Sequence, residues 1–161
     1  MKRLSLLLIL LNLLGFLTWF NWNIASKERT LRHGQLVLLE LVPVDPRSLM
    51  QGDYMRLNYA ITARQSPHRL PKRGYCVVRL DQHQVAKAVR FQQGEQPLND
   101  GEYLIRYFYN NYFINLGAES FFFQEGKQDR YALAKYGGLR VDNEGNSVLS
   151  GLYDVNFKLI E

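Results

Sequence analysis

Hydrophobic residues crowd the front of the chain and alternate with polar ones through most of the rest. From Leu4 to Phe20 the sequence reads LSLLLILLNLLGFLTWF without a charge, and at about 1.5 Å per helical residue this run approaches the hydrocarbon thickness of a bilayer. Trp19 and Trp22 stand at its end, where indole rings favour the membrane interface, and Asn21 and Asn23 open the polar exit. The pattern predicts one spanning helix. A cleaved signal peptide would need small residues at its processing site, but Asn23 sits two before Ala25 and the apolar run is long for such a leader. The short basic tail, Lys2 and Arg3, is expected to stay in the cytoplasm while the chain beyond Trp22 crosses, even though Lys27, Arg29 and Arg32 follow the run.

Beyond the anchor the period changes. Asn23 to Gly34 is polar and reads as a connector or helical extension. Gln35 to Val44 is apolar on both alternating faces, which predicts a central strand covered on both sides. Two prolines, Asp45 and Gly52 break the pattern between Pro43 and Gly52. From Asp53 alternation resumes: Asp53, Met55, Leu57, Tyr59 and Ile61 share one face, and Tyr54, Arg56, Asn58, Ala60 and Thr62 the other. A proline-containing loop covers Ala63 to Arg73. Tyr75 to Leu80 and Val85 to Phe91 then flank Asp81 to Gln84 with hairpin spacing, and Glu102 to Tyr109 is a further strand. Glu125 to Tyr136 predicts a short helix stopped by Gly137 and Gly138. Leu139 to Val141 and Ser147 to Leu149 flank a turn signal at 142–146, and Tyr153, Val155, Phe157 and Leu159 predict a closing strand. The expected fold is mainly β, a β-rich α+β domain with one short helix in its C-terminal half, behind a single N-terminal transmembrane helix. Residues 1–23 form the tail and anchor, 24–34 a juxtamembrane connector, and 35–161 the extracytoplasmic domain.

Composition narrows the function classes. The net charge is +5, of which Lys2 and Arg3 supply two; the remaining excess is small and its cations are interleaved with acids, unlike the dense basic stripe of a nucleic-acid module. No nucleic-acid partner is expected. Cys76 is the single cysteine, so neither an intramolecular disulfide nor a thiolate metal site can form. It shares a strand face with Val78 and Leu80, which predicts a buried, inert thiol. His33, His68 and His83 are isolated in polar segments without carboxylates at ligand spacing, and no glycine-rich loop joins a strand to a helix. Neither a metal nor a cofactor is expected. Between Tyr103 and Phe123 aromatic residues are dense; rings of this kind suit half-buried strands, and any left exposed would form a docking surface.

The segment Gly52-Asp53-Tyr54-Met55-Arg56-Leu57-Asn58-Tyr59 carries the most specific local pattern. Gly52 permits a backbone angle or close approach that a side chain would forbid, and Asp53 can accept hydrogen bonds from loop N–H groups. Leu57 and Tyr59 then fall on the core face while Tyr54 and Arg56 point away. On one reading the motif is a structural corner. On the other, Arg47, Asp53, Tyr54 and Arg56 line a recess that folding completes with Glu125 and Tyr131, making a binding site.

These residues resemble the signature of the GDYXXLXY family of bacterial membrane-anchored proteins. Pro43, Asp45, Pro46 and Arg47 before the motif, and Phe123, Glu125, Gly126, Tyr131 and Ala134 after it, extend the likeness from about Gly34 onward. The resemblance implies a single-pass protein of the bacterial inner membrane with a multi-pass membrane protein as partner; it supplies no reaction. The function expected is therefore that of a non-enzymatic accessory or binding domain of the envelope. The alternative is a membrane-anchored peptidase of the serine and lysine type using Ser48, since bacterial signal peptidases also carry a serine ahead of a Gly-Asp pair. Ser48 lies too close to Gly52 and Asp53 for that pattern and lacks its Ser-Met-x-Pro setting, and nothing singles out a lysine among Lys72, Lys127 and Lys135.

Overall fold

The computed structural model describes residues 2–42, 54–63, 65, 70–110, 113–124 and 126–160. Helix α1, Lys2–His33, is unbroken, and its 32 residues extend about 48 Å. Of the two readings of Asn23 to Gly34, connector or helical extension, the structure shows the extension, as far as His33. Its polar interruptions satisfy themselves along the helix: the side chains of Thr18, Asn21 and Asn23 each donate at 2.8 Å to the carbonyl four residues back. From residue 7 to residue 29 every side chain of α1 is exposed, and the helix is long and apolar enough to cross a membrane. It stops at Gly34, where a Cβ would stand 2.5 Å from the carbonyl oxygen of Thr30 and 3.0 Å from the backbone of Val141.

Nine strands follow among the described residues, in three antiparallel arrays. Strands β1 (Gln35–Glu40), β8 (Tyr136–Val141) and β9 (Ser147–Tyr153) form one sheet in the order β1-β8-β9. Strands β3 (Arg73–Leu80), β4 (Ala86–Gln92), β5 (Glu102–Tyr109) and β6 (Ile114–Asn115) form a second in the order β4-β3-β5-β6. A two-stranded ribbon pairs β2 (Tyr54–Arg56) with β7 (Ser120–Phe122). Single helical turns, α2 (Ala60–Ala63) and α3 (Gln128–Tyr131), follow β2 and β7. One core joins all three arrays: Val37, Leu39, Leu139 and Leu152 from the first, Cys76, Val78 and Ile105 from the second, and Met55 from the ribbon. Each large side chain so buried contributes about 1.5–3 kcal/mol.

The β-rich fold agrees with the alternation of the sequence, and the departures have local causes. Strand β1 is indeed buried on both faces, with Val37, Leu38 and Leu39 all at 2 % exposure or less. It is an edge strand, however, and β8 holds the centre of its sheet. The free edge of β1 is occupied by the β3–β4 connection, where Leu38 accepts a parallel bridge from Val85 and donates its N–H to Gln84.

The helix expected over Glu125 to Tyr136 is only the turn α3, and Gly137 and Gly138 lie inside β8 rather than at a helix end. They are needed there because aromatic rings rest on the strand: a Cβ on Gly137 would meet Tyr59 Cε1 at 2.9 Å, and one on Gly138 would meet Tyr153 Cε2 at 2.3 Å. The closing strand also ends early. Asp154 accepts the N–H groups of Asn156 and Lys158, folding 154–158 into a turn with Phe157 at φ 60°, and Phe157 stacks on His83 and Tyr136.

Glu102, at the start of β5, shows how the second sheet is fastened. Its side chain is almost fully buried and takes two hydrogen bonds from the Arg90 guanidinium, at 3.0 and 2.8 Å, and one from the backbone N–H of Asn99. The Arg90 hydrogen bonds, reinforced by Asn99, hold the carboxyl at about 2 against an ordinary value of 4.5. A depressed value in the folded state means stability that is present above pH 4.5 and lost as the pH falls towards 2. Glu102→Gln is therefore expected to flatten the acid limb of stability against pH in that window, measured by urea unfolding at each pH. A difference curve between variant and wild type that does not change across the window would contradict this role.

Candidate functional site

The motif builds a cleft beside the β2–β7 ribbon. Tyr54 pairs with Phe122 and Arg56 with Ser120, all four exposed on the outer face, while Met55 is buried opposite Phe121. The Tyr54 and Phe122 rings lie 5.7 Å apart, and the Arg56 guanidinium sits 5.1 Å from the centre of the Phe113 ring.

After Arg56 the regular strand ends, sooner than alternation alone indicates. Burial nevertheless keeps its period of two through Leu57 and Tyr59, because the backbone stays tied on both sides: Leu57 donates to Glu119 O and Asn58 O accepts from Val42, each at 2.8 Å. The Tyr59 hydroxyl donates to Ala118 O at 2.5 Å. Burial, with a further push from the Glu119 charge, raises this hydroxyl far above the usual tyrosine range. It stays protonated and acts as a structural clamp rather than an acid or base. At Ala60 the chain turns into α2, with Thr62 and Ala63 donating to Tyr59 O, so Ile61 lies in a helical turn and not on the strand face.

The resulting cleft encloses about 410 Å³. Arg56, Asn58, Thr62, Gln65, Asn115 and Glu119 supply its polar lining over a floor that includes Leu57 and Ile114. The Glu119 carboxylate is steadied by the backbone N–H of Leu116. Opposite charges at Arg56 and Glu119, with amides between, suit recognition of a polar ligand by hydrogen bonding.

Of the residues singled out from the sequence, Arg47, Gly52, Asp53 and Glu125 lie outside the described residues, as does Ser48. Arg56, Leu57 and Tyr59 come together at the cleft, and Tyr54 flanks it on the ribbon. Tyr131 is elsewhere: it is buried against Phe121 and Phe123, with ring centres 4.9 and 5.5 Å away, on the side of the ribbon opposite to Tyr54 and Arg56. The dense aromatics divide in the same way. Tyr103, Tyr107, Phe121 and Phe123 pack on the core, whereas Phe108, Phe113 and Phe122 are exposed. Among the described residues no three His, Cys, Asp or Glu side chains gather to hold a metal.

Asn58, Asn115 and Glu119 are lining residues that sequence reasoning passed over. Asn58 was within reach, since it shares the outward face of Tyr54 and Arg56; the other two arrive through pairing with distant strands and have no local signal.

The model of the GDYXXLXY protein family matches residues 16–152 of this chain. The chain belongs to the GDYXXLXY family. That match runs from the apolar part of α1 nearly to the end of β9, so the family unit includes the helix end, all three arrays and the cleft. Neither a curated protein nor a solved structure matches the chain. The later part of the family signature, Arg56 to Tyr59, thus lines one wall of the cleft; Leu57 and Tyr59 are buried there while Arg56 and Asn58 are exposed.

Proposed function

We propose that this GDYXXLXY protein is a non-enzymatic accessory or binding domain of the bacterial envelope, held by α1 as a single span in the inner membrane. Residues 35–161 stand outside the cytoplasm and work with a multi-pass membrane protein. The observation that carries this reading is the bareness of α1: from residue 7 to residue 22 its largely apolar side chains are exposed, and an apolar surface of that extent is buried by lipid or by other membrane helices. The cleft supports the binding half of the proposal. Its paired charge and amides suit a polar segment of another protein, and the adjoining ribbon offers Tyr54, Phe122 and the Arg56–Phe113 pair, the residue types that concentrate energy at interfaces.

The test uses the full chain in its own cells. A photoreactive amino acid in place of Phe122 is expected to crosslink a multi-pass protein in the membrane fraction; recovery of the chain as a soluble protein, or crosslinks to soluble proteins alone, would refute the proposal. Orientation is read on the same cells with Asn143→Cys, at an exposed turn position, and a membrane-impermeant maleimide. Labelling is expected in intact spheroplasts. Wild type supplies a silent background, because burial pushes the Cys76 thiol up to about 12. Labelling that appears only after lysis would place the domain in the cytoplasm.

A further inference from the structure

A second cavity, of about 590 Å³, opens where α1 meets the sheets. Lys27 of α1, Arg73 and Gly74 of β3, Arg106 and Tyr107 of β5, and Asn146 of the β8–β9 turn line it. Three cations thus converge from three separate elements. Arg106 is held in place, donating to Asn146 Oδ1 at 3.0 Å and to the Tyr75 hydroxyl at 3.3 Å, and pairs with the Glu95 carboxylate at 4.0 Å. Among the described residues Lys27 and Arg73 make no salt bridge.

Arg73, Tyr75 and Arg106 share the outer face of the β3–β5 pair, whereas the Tyr107 ring lies on the core face against Phe91, so Tyr107 and Gly74 bound the cavity without adding a side-chain donor. Three cations around one cavity, two of them without an acid partner among the described residues, describe a site for an anion with several acceptor oxygens.

The height of the site above the apolar run decides which anion. Lys27 follows Trp22 by less than two helical turns, about 7.5 Å, and the headgroup layer extends roughly 5–8 Å beyond the hydrocarbon on each side. Phe108 and Leu116 add apolar wall to the same cavity, which suits the glycerol end of a lipid better than a free ion. We propose that this cavity binds the phosphate of an anionic phospholipid headgroup from the surrounding leaflet, with Lys27, Arg73 and Arg106 neutralising the charge and donating to the phosphate oxygens. The assignment rests on the reading of α1 as a membrane span.

The full chain in dodecyl maltoside micelles is to be titrated with dioctanoyl phosphatidylglycerol, dioctanoyl phosphatidylcholine and inorganic phosphate, with adducts counted by native mass spectrometry. One phosphatidylglycerol per chain is expected, saturating at a concentration at least about tenfold below that for phosphatidylcholine, a ratio in keeping with charge-assisted hydrogen bonds. The exposed pair Lys27→Gln and Arg73→Gln should together weaken it about tenfold. Equal binding of the two lipids, or binding indifferent to the paired substitution of Lys27 and Arg73, overturns the site. Inorganic phosphate that saturates as readily as the anionic lipid overturns the lipid as its source. A chain that stays monodisperse without detergent is a different failure, that of the membrane span itself.

Discussion

Tyr59→Ala is expected to lose about 3–5 kcal/mol of folding stability, the range for deleting a buried aromatic ring. That is a large share of the 5–15 kcal/mol that holds an ordinary domain together. Tyr59 is 1 % exposed, bridges Leu41 just past β1, bonds Ala118 before the β7 ribbon strand, and lies against Gly137 near the start of β8. Tyr59→Phe separates the ring from its hydroxyl: it keeps the packing and strands the Ala118 carbonyl, for an expected loss of about 1–3 kcal/mol. Urea unfolding of the chain in micelles measures both, provided the slope of each transition is unchanged. An alanine variant with the wild-type midpoint would show that the last residue of the signature is not there for the core.

The second large effect is expected from Gly137→Ala. The added carbon would meet Tyr59 Cε1 at 2.9 Å and its hydroxyl oxygen at 3.2 Å, and the ring has no freedom to retreat because Ala118 holds its far end. Overpacking of this kind costs about 1–3 kcal/mol. The two sites share one space, so they should not be additive. In the double variant with Tyr59→Ala the new methyl enters the hole left by the ring, and the combined loss should fall short of the sum. A strictly additive cycle would mean that the glycine is required for some reason other than the tyrosine above it.

These same two residues mark where the sequence could and could not be read. Alternation located Leu57 and Tyr59 as inward residues and found β3, β5 and the β8–β9 hairpin, whose segments carry buried residues, while β4, which buries none, was found from its hairpin spacing to β3. Two glycines after a polar stretch look the same whether they end a helix or lie beneath an aromatic ring, and the ring here arrives from a strand far away in the chain. Tyr153 to Leu159 misleads in the opposite sense. The alternation is real, yet Asp154 collects the following N–H groups and converts it into a turn. The cleft was half legible: Arg56 and its neighbours follow from the motif, whereas Asn115 and Glu119 reach it only through the pairings β5–β6 and β2–β7. The cavity at Lys27 had no signal at all, since it exists only once α1 is known to stay helical past the apolar run.

That last turn of α1 also governs how the molecule stands. The Thr30 hydroxyl lies 3.1 Å from the Asp142 carboxylate and the Gly34 carbonyl accepts from Arg140. Burial alone would raise Asp142, but hydrogen bonds from Asn146, Thr30 and Glu144 outweigh it and keep the carboxyl low and charged. The helix therefore enters the globular part as a mast bolted to its deck, not as a rope. In a bilayer, any tilt of the mast swings the cleft through the same angle, and rotation about the mast sets its compass bearing. A neighbour in the membrane would meet the cleft at one standoff and one heading, with no search over the reach of a slack tether.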